Sequence, residues 1–122
     1  MRASKQQQKS LIRIKNRAEF LHIQKKGQKW VSHGLIIQAI PNELGETRVG
    51  FTVTKKVDKS AVVRNRIKRR LRAAAADVLP IYAKGSHNYI LVGRKLTSTR
   101  PYDTLCDDLK WCLGKLNMAA ED

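Results

Sequence analysis

Residues 64–72 read Arg-Asn-Arg-Ile-Lys-Arg-Arg-Leu-Arg, six cations in nine positions. Guanidinium groups offer paired N–H donors that match phosphate oxygens, and their planes stack on bases. The chemistry of this run is therefore recognition of a polyanion, not the making or breaking of bonds. Wound as a helix with Ile67 at 0°, the side chains of Lys68, Arg72, Asn65, Arg69 and Arg66 fall at about 100°, 140°, 160°, 200° and 260°. Arg64 and Arg70 flank the inward stripe of Ile67 and Leu71 at about 60° and 300°. Like charges four apart (Arg64/Lys68, Lys68/Arg72, Arg66/Arg70) cost helix stability. No acid stands between Asp58 and Asp77 to relieve them. A face that needed only solvation would interleave glutamates; this one keeps a single sign.

A second constellation precedes it. Val49-Gly-Phe-Thr-Val-Thr-Lys-Lys56 is strand-like and ends in two lysines. By alternation Phe51, Val53 and Lys55 share one face, and Gly50, Thr52 and Thr54 the other. Set beside Phe20, the Phe51/Lys55 face would combine stacking with charge, as single-strand binders do. Both aromatics would serve equally well as core residues.

Catalytic equipment is not legible. Metal-dependent hydrolysis needs clustered carboxylates, yet residues 1–72 hold four acids and no DxD or DxE pair. Asp107 and Asp108 are adjacent, so on a helix they diverge. His22, His33 and His87 show neither HxxxH spacing nor a nucleophile motif, and no phosphate-binding glycine loop occurs. The expectation is no catalytic residue and no metal site. Cys106 and Cys112, six apart on a helix, point away from each other and are expected to be buried thiols.

The balance of charge agrees with binding. Of the excess of +15, all lies in residues 1–72, which carry 19 Lys+Arg against 4 Asp+Glu; residues 73–122 carry six of each. Such segregation dedicates one part of the chain to a polyanion while a neutral part completes the fold. No apolar run approaches the roughly 18 residues of a membrane span. The first ten residues are polar, without the apolar centre of a secretory signal. A cytoplasmic protein without membrane or DNA partners is expected, with one domain over 1–122: a flexible tail at 1–10 and a folded part at 12–118.

These side chains must be held by elements. Asn16 with Glu19 resembles a capping box for a short helix, closed by Gly27 in the left-handed conformation. Strands are expected near 29–31, 35–40 and 48–54, the last two joined as an antiparallel hairpin by the turn 42–45. A long helix starts at Asp58 or Ser60, buries Val63, Ile67, Leu71, Ala74 and Val78, and stops at Pro80. A buried strand follows at 88–92. Pro101 opens a last helix with its stripe on Tyr102, Leu105, Leu109, Cys112, Leu113 and Leu116. The fold class is α/β (α+β): a two-layer sandwich of three helices on a mostly antiparallel sheet.

The strand 49–56 followed by Val62-Val-Arg-Asn-Arg-Ile-Lys-Arg-Arg-Leu-Arg72 resembles the signature of the bacterial ribonuclease P protein subunit. Asn16-Arg-Ala-Glu-Phe20, Lys25-Lys-Gly27 and Tyr89-Ile-Leu-Val-Gly-Arg-Lys95 fit in the same order. The resemblance implies a fold like domain 2 of ribosomal protein S5, with a left-handed βαβ crossover. It implies partnership with a catalytic RNA and with precursor tRNA, whose 5′ leader the complex removes, the magnesium-dependent chemistry residing in the RNA. It assigns Arg64, Asn65, Arg66, Lys68, Arg69, Arg70 and Arg72 to the catalytic RNA. Phe20, Phe51, Val53, Lys55 and Arg94 fall to a cleft for the leader, with further basic contacts at Arg13, Lys15, Arg17 and Lys56. Two positions often aromatic in that family are Gln24 and Gln38 here. The alternative is a small ribosomal or other structural RNA-binding protein with no part in cleavage.

Overall fold

A computed structural model describes residues 11–117; the polar stretch 1–10 lies outside them. The elements run β1 (Leu11–Arg13), α1 (Arg17–Lys26), β2 (Gln28–Val31), β3 (Leu35–Pro41), β4 (Thr47–Thr52), α2 (Ala61–Tyr82), β5 (His87–Gly93), a 3₁₀ turn (Lys95–Ser98) and α3 (Tyr102–Lys115). The three helices and the α+β class are as the sequence predicts.

The five strands form one sheet in the order β1-β4-β5-β3-β2. β1 and β4 run parallel, as do β4 and β5; β3 is antiparallel to both β5 and β2. The sheet is therefore evenly mixed, and the expected β3/β4 hairpin does not form. β5 takes the place between them. It is apolar on both faces, with Tyr89, Ile90 and Leu91 all fully buried, so it belongs at the centre of a sheet covered on two sides. α2 makes the parallel crossover from β4 to β5. The turn after β3 still has its expected chemistry: the Asn42 side chain accepts from Leu44 N–H, and Gly45 adopts φ +70°.

Alternation divides the strands between two cores. Leu35, Ile37, Ala39, Val49, Tyr89 and Leu91 face α2 and α3, meeting Ile67, Leu71, Leu105, Leu109 and Leu113. Ile90 faces the other way, with Ile14, Ile23 and the half-buried Phe20 of α1's side. The α2 stripe is buried at Ile67, Leu71, Ala74 and Val78 as expected and widened by Ala75 and Leu79, while Val63, expected to be buried, is only half-buried in the first turn. Both thiols are free, but Cys106 is only half-buried while Cys112 is in the core. Burial pushes both thiols up, so they stay protonated.

Three local expectations are corrected. Gly27 is extended (φ −72°, ψ 157°), not left-handed. A side chain there would stand 2.6 Å from the Ile23 carbonyl oxygen and 3.0 Å from that of Ala39, so close approach excludes anything larger than glycine. α2 passes Pro80 and ends at Tyr82, because a proline in the last turn forfeits one hydrogen bond without breaking the turns before it. The capping box is half made. Asn16 Oδ1 accepts from Ala18 and Glu19 N–H, but the Glu19 carboxylate turns to a two-pronged pair with Arg48.

Hydrogen bonds from Arg48 hold the Glu19 carboxyl below its ordinary value. Such a group stabilises the fold above the unfolded carboxylate value of about 4.3 and loses that contribution as pH falls through the folded value. Both side chains are partly exposed, so the contribution is small. Glu19→Gln should lower Tm slightly at neutral pH, and the difference from the parent should close in acid as pH falls through the lowered folded value. A difference that persists in acid would refute the pairing as its source.

Candidate nucleic-acid interface

α2 is capped by Ser60, whose Oγ accepts from Val63 N–H at 3.3 Å, while Asp58 accepts from Ser60 N–H at 2.8 Å. Those caps fix the rotation of the helix, and with Ile67 and Leu71 wholly buried the cations take the outer arc. Asn65, Arg66, Arg69 and Arg72 are exposed; Arg64, Lys68 and Arg70 are half-buried. The two flanking arginines are partly engaged by the fold. Arg64 donates to the carbonyls of Asp58 and Lys59 at 2.9 and 2.8 Å. Arg70 donates to those of Thr97, at 2.7 Å, and Arg100, tying α2 to the 3₁₀ turn. Charge alone did not separate these two from the free ones; their flanking wheel angles were the available signal. Arg66, Arg69 and Arg70 wall a hollow of about 310 Å³ with Ala73 and Tyr102, suited to phosphate oxygens.

Lys55 and Lys56 follow β4 into a separate hollow of about 400 Å³, with Val57, Asp58, Lys59 and Lys95. Lys59 and Lys95, not singled out in the sequence, make this a four-lysine cluster.

A third hollow, of about 360 Å³, lies between α1 and the sheet, lined by Lys15, Arg17, Phe20, Leu21, Gln24, Phe51 and Thr52. Phe20 owes its place there to Gly50. A Cβ at Gly50 would lie 2.4 Å from Phe20 Cζ, so only glycine lets the ring lie on the strand. The expected cleft set is consequently split. Phe20 sits on the Gly50/Thr52 face, whereas Phe51 and Val53 pack against the larger core on the opposite face. Phe51 also borders the hollow, with the Arg13 guanidinium 5.2 Å from its ring centroid. Lys55 belongs to the lysine cluster. Arg94 continues the alternation of β5 in extended conformation (φ −123°, ψ 169°) and donates to the Ser32 carbonyl, beside Val31 and Trp111. Gln38 is buried next to Ile90 and its Oε1 has no hydrogen-bond partner among the described residues.

On this face one row of side chains is left incompletely covered: Thr52, Val92, Ile36 and Val31, successive partners across β4, β5, β3 and β2. None of the four is buried. They form a floor that joins the Phe20 hollow to the β2 edge. Among the described residues no three His, Cys, Asp or Glu side chains gather to hold a metal ion, and no helix is long and apolar enough to cross a membrane.

A two-faced α+β sandwich with a single-sign arginine helix and cation-rimmed hollows defines a nucleic-acid-binding protein. Residues 9–117 match the family model described as Ribonuclease P. The ribonuclease P protein component of Paramagnetospirillum magneticum is 47% identical over 111 residues, covering 87% of this chain and 83% of that one. That of Ruegeria pomeroyi is 42% identical over 108 residues, covering 85% of each. The RNase P protein of Staphylococcus aureus superposes with a TM-score of 0.73 at 26% identity, over 88% of this chain and 97% of that one. The chain belongs to the ribonuclease P protein family.

Proposed function

We propose that this subunit of ribonuclease P, the endoribonuclease that matures the 5′ end of tRNA, binds two RNAs at once on opposite sides of its sheet. The outer arc of α2, with Asn65, Arg66, Lys68, Arg69 and Arg72, holds the catalytic RNA, and the free donors of Arg64 and Arg70 add to it. The hollow between α1 and the sheet, with Phe20, Lys15 and Arg17, takes the leader of precursor tRNA, which continues over Thr52, Val92, Ile36 and Val31 toward Arg94. The observation that supports this division is the sheet's two-sidedness: α2 covers one face while Phe20 lies on the other. One strand of RNA bound to α2 leaves the α1 hollow free.

The protein contributes binding and positioning; the bond is cut by the RNA with its magnesium. Neutralising phosphates on both RNAs lowers the repulsion between them, so the protein should matter most when magnesium is scarce. The reading places it in the cytoplasm with its RNA partners. The structural RNA-binding alternative has no observation in its favour once the family is known.

The test is reconstitution. In low magnesium, a bacterial ribonuclease P RNA should cleave the 5′ leader much faster with the protein than without it, and the protein alone should not cleave. Correct-site maturation by RNA-free protein, cleared of contaminating nucleases, would overturn the reading. So would the absence of any gain from adding the protein.

A further inference from the structure

The chain has two tryptophans, and they meet at one place. Trp30 on β2 and Trp111 on α3 pack edge to face, centroids 6.0 Å apart and planes at 67°. Neither is a core residue: Trp30 is 36% exposed and Trp111 49%. Beside Trp111 opens a hollow of about 450 Å³, walled also by Val31, Ser32, His33 and Arg94. The charges around it are mostly positive. Lys115 Nζ lies 5.6 Å from the Trp111 ring centroid, and Arg94 forms part of the wall. Of the nearby acids, Asp108 is taken by Arg100 and Asp107 is exposed on the preceding turn of α3. Partly exposed indoles with cations beside them suit the bases and phosphates of a single strand.

Position supplies the second argument. Val31 is both the wall of this hollow and the last residue of the floor that begins at Thr52, in the Phe20 hollow. From β4 to β2 is three strand spacings, about 14 Å. Lys15 and Arg17 stand at the β4 end of that line, and Lys29, two residues before Val31 on the same face of β2, at its other end. A strand that runs along the floor and turns over the β2 edge at Val31 reaches Trp111 on the α3 side.

We infer that Trp111, braced by Trp30, is a second stacking station for the leader, occupied by bases farther from the tRNA than those at Phe20. This rests on the leader reading above. It makes the benefit of a longer leader a property of one side chain at the β2 edge.

The experiment uses the full chain assembled with a bacterial ribonuclease P RNA and precursor tRNAs whose leaders lengthen one nucleotide at a time. Affinity should rise again once the leader is long enough to reach Trp111. Trp111→Ala should abolish that second rise, a loss of about five- to ten-fold, while short-leader precursors and mature tRNA are bound as before. Trp111→Phe should retain most of it. Long leaders alone should quench the tryptophan emission, because both indoles report on this one place. If Phe20→Leu weakens leader binding and Trp111→Ala does not, the station is refuted and the cleft stands. If neither variant distinguishes leader lengths, both readings fall. Equal losses for mature and long-leader tRNA would assign Trp111 to another contact and overturn the inference.

Discussion

Replacing Arg66 and Arg69 together by alanine should weaken binding of the catalytic RNA about 100-fold at low salt and flatten its salt dependence. Both side chains are exposed on the outer arc of α2, and no hydrogen bond to the protein occupies either of them among the described residues. Each is free to make a charge-assisted contact to phosphate, worth about 1.5–3 kcal/mol. Two such contacts at the lower end amount to about 3 kcal/mol, or about two decades in affinity. Every phosphate neutralised releases counterions and adds about −0.7 to −0.9 to the slope of log K against log salt. The double variant should therefore lose about one to two units of slope. Its melting temperature should hold or rise slightly, since Arg66 repels Arg70 four residues on. An unchanged slope would place the RNA contacts elsewhere. Arg70→Ala differs in kind. It removes the donor to the carbonyls of Thr97 and Arg100, so its loss of RNA affinity should be accompanied by a lower Tm.

The contrast between these arginines shows what the sequence made legible. A 3.6-residue period and one sign of charge were enough to place α2, its buried stripe and its outer face, because both signals are local. Sheet order was not legible. Alternation partitions a strand between two faces but says nothing about its neighbour, and the β5 insertion between β3 and β4 is a long-range event. β1 escaped notice because three residues carry no period; it exists by pairing with β4 as an edge strand. The 3₁₀ turn at Lys95–Ser98 was missed for the same reason of length.

The split of the expected cleft set has a more instructive cause. The pattern correctly separated Phe51, Val53 and Lys55 from Gly50, Thr52 and Thr54, but which set meets α1 was left to an assumed meeting of aromatics. Gly50 held the answer. A glycine inside a strand marks a place where something approaches closely, and that something is the ring of Phe20. The same reasoning missed the Trp30–Trp111 pair. The residues are 81 positions apart, and only the packing of α3 on β2 and β3 brings them together.

Phe20 yields the second large effect. Its ring lies against Gly50 and also lines the α1 hollow, so it packs on the strand and presents ring surface to whatever enters the hollow. Phe20→Ala should weaken binding of precursor tRNA by about ten-fold, toward the lower part of the 1–3 kcal/mol that stacking on an aromatic contributes. The lower part is expected because Gln24, one helical turn on and in the same hollow, offers no second ring. Affinity for mature tRNA should stay unchanged, since it has no leader to lay in the hollow. The alanine variant also leaves a gap above Gly50 and should melt at a lower temperature. Phe20→Leu separates the two roles: it fills most of the space but presents no π-face. It should recover most of the stability and little of the leader affinity. A leucine variant that binds leader like the parent would make Phe20 a packing residue only. Gly50→Ala approaches the same contact from below. Its methyl would collide with the ring, displace Phe20 from the strand and reduce leader affinity without touching any charge. If that variant binds leader as tightly as the parent, the position of the ring does not set leader affinity, and the burden of binding moves to Lys15, Arg17 and the open floor.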